Sequence, residues 1–312
     1  MTLPLVIDTD PGIDDALALI LAARADGARL LAVSTSYGNT TVDRATRNAR
    51  VVLDRAGCRA PVFAGADRPL VRPLVTAKET HGSEGLGDHD LPPAAPVEAS
   101  FTSILDALHA AGEPVTLVTL GPLTNLAHAL RNDPAFLRSR VTRHVAMGGN
   151  IAAAGNSGGL AEFNVWCDPE AAAEVFAARL GTELVGLDVT RRLVITAGGV
   201  EKLAGSGDAE ARWLGRLLGF YVRFHHHQEG LPGAVINDPL AVALALEPGW
   251  GSAETLPLVV NLASGTGRGE TVAGRPADPP IRVYRDVNLP PVHDWLLRYV
   301  FGRWLTKSDF RA

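Results

Sequence analysis

Leu5-Val-Ile-Asp8-Thr-Asp10-Pro-Gly12-Ile-Asp14-Asp15-Ala-Leu-Ala-Leu19 is the stretch on which the reading of the whole chain turns. A short β-branched apolar run leads into Pro11-Gly12, and an alanine- and leucine-rich run with helical spacing follows. The pattern predicts strand, turn, helix, with the carboxylates at the strand's C-terminal end and the helix start. Asp14 and Asp15 gain from the partial positive charge of a helix N-terminus. That gain does not account for Asp8 and Asp10, which would repel them at close range. A plain helix cap needs one such side chain, whereas carboxylates facing each other this closely usually share a cation.

Working outward, strand-like runs recur at residues 3–8, 30–35, 61–64, 115–120, 144–147 and 183–186. Most alternate with helical segments at residues 14–25, 42–56, 103–111 and 169–179. Alternation of this kind predicts an α/β fold with a mainly parallel central sheet and helices on both faces, a Rossmann-type core. Ligands on such sheets bind beyond the carboxyl ends of the strands. Four polar clusters fall there: Asp8–Asp15, Ser36–Asn39, Gly121–Asn125 and Met147–Asn150. Beyond residue 190 the spacing predicts a long helix over 210–229, another over 238–246, late strands at 256–262 and 281–287, and a last amphipathic helix over 291–301. Residues 65–100, rich in Pro, Gly and His, are expected as a long loop over the sheet edge, a length that is uncommon without a function.

The 312 residues suffice for one large α/β domain, and residues 1–312 are expected to form it. A net charge of −5 without any basic run argues against nucleic acid or an anionic membrane as partner. Cys58 and Cys167 lie far apart without metal-ligand spacing and are expected as two reduced, buried thiols. Met1 runs into the first strand within a few residues, leaving no room for a signal peptide, and no apolar stretch reaches the ~18 residues of a membrane span. The expected location is cytoplasmic. Of 29 basic residues only Lys78, Lys202 and Lys307 are lysines, and none sits in a catalytic motif.

The first stretch closely resembles the signature of the inosine–uridine preferring nucleoside hydrolases. Further motifs follow in family order: Tyr37-Gly-Asn39, His81-Gly-Ser-Glu-Gly-Leu-Gly87, Gly121-Pro-Leu-Thr-Asn125, Met147-Gly-Gly149, Gly155-Asn156, Glu162-Phe-Asn164, Asp168-Pro-Glu170 and Asn237-Asp-Pro-Leu-Ala-Val242. The resemblance implies calcium-dependent hydrolysis of the N-glycosidic bond of a ribonucleoside to free base and ribose. It implies Ca²⁺ ligands at Asp10, Asp15, Asp238 and the backbone carbonyl of Leu120, and an assembly of two or four copies. Six to eight hard oxygen ligands suit Ca²⁺, and a ribose 2′,3′-diol can supply two of them. Because Ca²⁺ acidifies water poorly compared with Zn²⁺, a base is still needed; Asp10, touching metal and water, is the candidate. Asp14, Asn39, Asn156, Glu162 and Asn164 resemble the residues that grip the sugar hydroxyls, beside Met147. Phe163 is a candidate to pack on sugar or base.

Here the chain departs from the family. Many members place His immediately before the last aspartate, and others Trp; this chain has Asn237. An amide cannot act as a general acid near neutral pH, and losing such an acid typically costs about 10²–10⁴-fold. His81 is the substitute with the strongest motif, and His225, His226 and His227 on the long helix offer a second, with His227 the choice for the pocket. Tyr221 is expected in the core rather than in the base site. The alternative reading is a catalytically weak nucleoside- or ribose-binding member of the same fold. Asp8-Thr-Asp10 also looks like the nucleophile motif of haloacid-dehalogenase-like phosphatases. That chemistry wants Thr or Val where Gly12 stands, and a later lysine near the phosphate.

Overall fold

The computed structural model describes residues 2–87 and 89–311; Met1, on which the signal-peptide expectation leaned, lies outside the described residues. Eleven strands are found among these residues. They are β1 (Leu3–Thr9), β2 (Ala28–Thr35), β3 (Val62–Ala64), β4 (Val115–Thr119), β5 (Val141–Met147), β6 (Glu183–Val185), β7 (Val194–Thr196), β8 (Gly233–Val235), β9 (Gly251–Val260), β10 (Thr271–Ala273) and β11 (Pro280–Val287). Nine form one sheet in the order β10-β9-β11-β6-β5-β4-β1-β2-β3, while β7 and β8 make a separate antiparallel pair. From β3 to β11 all neighbours are parallel, and only β9 runs against the rest, pairing antiparallel with β11 on one side and β10 on the other. The mainly parallel α/β sheet expected from the alternation is therefore present.

Successive side chains of a strand point to opposite faces, and the sheet uses both. On β1, Leu5 and Ile7 enter one apolar cluster and Val6 the other. Burial on two sides explains why these strands read as continuous apolar runs rather than as alternating ones. The helix Ile13–Arg24 is buried from Ile13 to Ala22 and packs against the equally buried helix Asp238–Leu246. That contact brings residues more than 220 positions apart to one end of the sheet. The strand order reverses beside β1, which has β2 and β3 on one side and β4, β5 and β6 on the other. A crevice opens at such a switch point beyond the carboxyl ends of the strands, and Asp10 and Leu120 stand at its lip.

Several boundaries differ from expectation. The long helix spans Ala209–Phe224, and its continuation His225–Glu229 is one wider π-turn ended by Gly230 in the left-handed region. The strand expected at 256–262 begins earlier, as β9. The short strands β7, β8 and β10 were not anticipated, because three residues show no period. The final helix is Leu289–Leu296 followed by a π-turn, Leu297–Phe301. Among the described residues, 65–100 are irregular chain with several turns and a single helical turn, Lys78–His81. Cys167 is buried as expected, but Cys58 is partly exposed, and both are free thiols. No described helix is long and apolar enough to cross a membrane.

Candidate active site

Four of the acidic side chains singled out in the sequence meet at the switch point. Asp10, Asp14, Asp15 and Asp238 are all buried. Asp14, Asp15 and Asp238 each bring a carboxylate oxygen within 4.8 Å of the others. Asp8 turns away from this group: its Oδ1 accepts a hydrogen bond from Asn125 Nδ2 at 2.8 Å.

Each acid is oriented by its neighbours. Asp15 Oδ2 accepts the Gly12 N–H at 2.9 Å and Asn39 Nδ2 at 2.8 Å, and its Oδ1 accepts the Thr9 hydroxyl. Asp10 Oδ2 accepts the Asn39 N–H at 2.6 Å, while its Oδ1 is buried without a partner. Gly38 and Gly121 lie directly against the Asp10 carboxylate, where any Cβ would collide with it. This is the physical reason for glycine in Tyr37-Gly-Asn39 and Gly121-Pro122. Asp14 Oδ2 accepts both the backbone N–H of Asn237 at 3.1 Å and its side-chain Nδ2 at 3.2 Å, and the Tyr221 hydroxyl also bonds Asp14.

Burial pushes all four carboxyls above the usual carboxylate range, and mutual repulsion adds to it, most clearly from Asp15 on Asp10 and from Asp14 on Asp15 and Asp238. A protein gains nothing by crowding acids in a dry site unless a cation offsets their charge. The donor set is all hard oxygen, with one buried carboxylate oxygen unpaired. These residues fit a calcium ion. The cluster groups Asp14 with Asp15 and Asp238, whereas the sequence expectation grouped Asp10 with them; Asp10 is near enough that its charge acts on Asp238. The Leu120 carbonyl accepts Asn164 Nδ2 at 2.7 Å, which leaves it one further lone pair.

Above the acids is a cavity with about 580 Å³ free of protein atoms, its open mouth included. Its buried lining includes Asp14, Asn39, Leu120, Met147, Glu162 and Asn164, and the more exposed Asn156 and Phe163 line it as well. Glu162 caps the helix Phe163–Cys167, accepting from Asn164 N at 2.9 Å and Val165 N at 3.1 Å, and it also accepts Gly149 N at 2.9 Å. Burial pushes its carboxyl up to about 7.

His81, Tyr221, Phe224, His225 and Asn237 form the opposite wall. The His81 ring lies 5.2 Å from that of Tyr221, and the His225 ring lies 4.3 Å from it. His81 Nδ1 accepts the Ile13 N–H at 3.0 Å, so the neutral ring carries its proton on Nε2. Burial lowers both His81 and His225 to about 4.

His227 must be corrected. It is exposed and does not line the cavity; His225, two positions earlier, does. His225 follows Tyr221 by four residues, so helical spacing sets both rings on the inward face, 4.3 Å apart, while His227 falls away from it. Tyr221 is buried as expected, yet it also lines the cavity. Sequence reasoning missed Ala77, Thr80, Ser157 and Phe224, which carry no distinctive chemistry. Other quoted motifs serve as scaffold: Thr124 bridges the Tyr37 hydroxyl at 2.8 Å and Asp168 Oδ2 at 2.7 Å.

An open, mainly parallel sheet with a buried oxygen-ligand cluster and a polar cavity at its switch point is an arrangement that suits a metal-assisted hydrolase. The profile of the inosine-uridine preferring nucleoside hydrolases matches residues 5–294, and the chain belongs to that family. It is 36% identical over 281 residues to the inosine-uridine preferring nucleoside hydrolase of Crithidia fasciculata, covering 86% of this chain and 87% of that one. It is 39% identical over 255 residues to the pyrimidine-specific ribonucleoside hydrolase RihA of an Enterobacter species, with 80% of each chain covered. Among solved structures, a plant nucleoside hydrolase, PpNRh1, superposes with a TM-score of 0.87 at 29% identity, over 97% of this chain and all of that one.

Proposed function

We propose that this chain hydrolyses the N-glycosidic bond of ribonucleosides, with Asp10 as general base. The observation that supports this most directly is the unpaired, buried Oδ1 of Asp10 beside three convergent carboxylates under an open polar cavity. Asp10, Asp15, Asp238 and the Leu120 carbonyl, with Asp14 beside them, would hold the calcium ion, which would supply positive charge for binding a ribose diol and for easing deprotonation of water. Asp10 takes the proton from the attacking water through Oδ1, since Asn39 fixes Oδ2. The water oxygen bonds to C1′, the C1′–N bond breaks, and its electron pair leaves with the base. Asn39, Asn156, Glu162 and Asn164 hold the sugar, with Met147 and Phe163 packed on it. The negative charge of Asp14 favours the oxocarbenium-like transition state.

On the base side, Asn237 is committed to Asp14 through two N–H groups and supplies no proton. His81 is a neutral ring with Nε2–H, and it stabilises the departing base by donating a hydrogen bond, as a neutral imidazole can. The base then takes its proton from water. The chain acts as one cytoplasmic domain and assembles as a dimer or tetramer; the exposed Val71, Leu74 and Val75 support an apolar contact between copies.

The test is ribose release from a panel of purine and pyrimidine ribonucleosides, with calcium and after chelation. Calcium-dependent release is expected. Calorimetric binding of nucleoside without any ribose released would replace the hydrolase with a binding protein on the same scaffold.

A further inference from the structure

The segment from Ile151 to Leu160 leaves β5 and brings Asn156 and Ser157 to the cavity rim. It contains no helix, and its one ladder contact pairs Ser157 with Ala161. Such a segment needs other anchors to hold a side chain still. At its root, three consecutive backbone N–H groups converge on one carboxylate. Ile151 N donates to Asp188 Oδ2 at 2.7 Å, and Ala152 N and Ala153 N donate to Oδ1 at 2.7 and 3.3 Å. Asp188 follows β6 in the short helix Leu187–Thr190, and Leu187 N donates to Gly149 O at 3.0 Å. Clamp and loop root therefore share one rigid base at the sheet. Asn150 Nδ2 closes the same root by donating to Ala153 O at 2.8 Å and Leu160 O at 3.1 Å. The Arg285 guanidinium, 3.7 Å from Asp188 Oδ1, offsets the carboxylate's charge.

We infer that Asp188, which touches no part of the cavity, is a positioning residue for substrate binding: its carboxylate sets the loop that presents Asn156 to the nucleoside. This rests on reading the cavity as the nucleoside site. Charge-assisted hydrogen bonds to backbone N–H groups are among the stronger local restraints. Releasing three at once frees the loop root without disturbing the acidic cluster.

The test compares Asp188→Ala, Asp188→Asn, Asn156→Ala and the double variant Asp188→Ala with Asn156→Ala, each as full-length protein with calcium. Asp188→Ala is expected to raise KM and lower kcat/KM roughly tenfold, about 1.4 kcal/mol, comparable to Asn156→Ala. Asp188→Asn, which keeps one acceptor oxygen, should fall between Asp188→Ala and the unmodified protein. The double variant should be little worse than Asn156→Ala, because both changes remove one contact. Amide hydrogen exchange should quicken at residues 151–156 and stay unchanged in β1 and β4. Losses that multiply in the double variant, or unchanged exchange at 151–156, would overturn the inference. If Asp188→Ala does not fold, Asp188→Asn reads the same two quantities. If the unmodified protein releases no ribose, the hydrolase reading fails; exchange and calorimetric nucleoside affinity in the same variants still decide whether Asp188 positions the loop.

Discussion

Asp10→Asn is the perturbation that separates the base from the metal cluster. The amide is nearly isosteric, and its oxygen can still accept the Asn39 N–H that Oδ2 accepts at 2.6 Å. Gly38 and Gly121 leave room for no other arrangement. What changes is the unpaired Oδ1, replaced by an NH₂ that cannot take a proton. Removing a general base costs about 10²–10⁴-fold, or ~3–5 kcal/mol of transition-state stabilisation. The same change removes one of four crowded negative charges. Without calcium, Asp14, Asp15 and Asp238 then repel one fewer neighbour, so the metal-free variant should melt no lower than the unmodified protein. Calcium should stabilise it less. A ligand at a hundred times its Kd stabilises by about 2.7 kcal/mol, worth roughly 4 °C at this size, and a variant binding a hundredfold more weakly gains under ~0.5 kcal/mol at the same calcium. Ribose release gives kcat, and thermal melts with and without calcium give the rest. A kcat within tenfold of the unmodified protein would refute the assignment of Asp10 as base. A normal calcium-induced rise in Tm would refute its place among the ligands.

His225→Ala should lower kcat/KM at least several-fold while His227→Ala leaves it unchanged, and steady-state kinetics on the best nucleoside will tell the two apart; equal effects would contradict the inward turn of His225. His81→Ala should slow nucleosides with poor leaving groups far more than a nitrophenyl riboside, whose leaving group needs no hydrogen bond; equal losses on both would make His81 structural. His144 is buried between the hydroxyls of Thr119 and Thr182, each 3.0 Å away, and burial lowers it to about 4 from an ordinary 6.5. The unfolded chain therefore binds this proton first, so the stability is present above pH ~6.5 and is lost as pH falls towards 4, about 3 kcal/mol in all. Denaturant melts between pH 7 and 4.5 should show a shallower loss in His144→Asn, and an unchanged slope would refute the assignment.

The core of the fold was legible because its strands are long enough, or buried enough, to read as apolar runs between helices of regular period. Leu5, Val6 and Ile7 illustrate this: buried on alternate faces, they spell a strand without any polar interruption. The strands β7, β8 and β10 were illegible for the opposite reason, since Val194–Thr196, Gly233–Val235 and Thr271–Ala273 owe their pairing to distant partners rather than to local pattern. The acidic cluster was legible at its N-terminal part, where charge density in eight residues has no structural excuse. Asp188 was not, because its three partners are backbone N–H groups 35–37 residues away, and a single aspartate at the start of a helix looks like any other.

Asn237 is the instructive case between these. Read along the chain, it is an absence, the position where a proton donor should stand. In three dimensions it is a clamp, with its backbone and side-chain N–H groups both spent on Asp14 Oδ2. A histidine here would keep the backbone N–H to Asp14 and could add one ring N–H while holding its other nitrogen for the base. The amide gives up leaving-group chemistry and fixes Asp14 from two directions. Its unpaired, buried Oδ1 cannot serve as an acid in either orientation, because turning the amide would set oxygen against the Asp14 carboxylate. On the reading proposed above, help for the departing base comes from elsewhere on the same wall, where the Ile13 N–H sets the His81 proton on Nε2 and both His81 and His225 lie against Tyr221. If His81 serves the leaving base as proposed, the loss at residue 237 and the neutral imidazoles beside it are one arrangement, which would stabilise a leaving base by hydrogen bonds rather than by prior protonation.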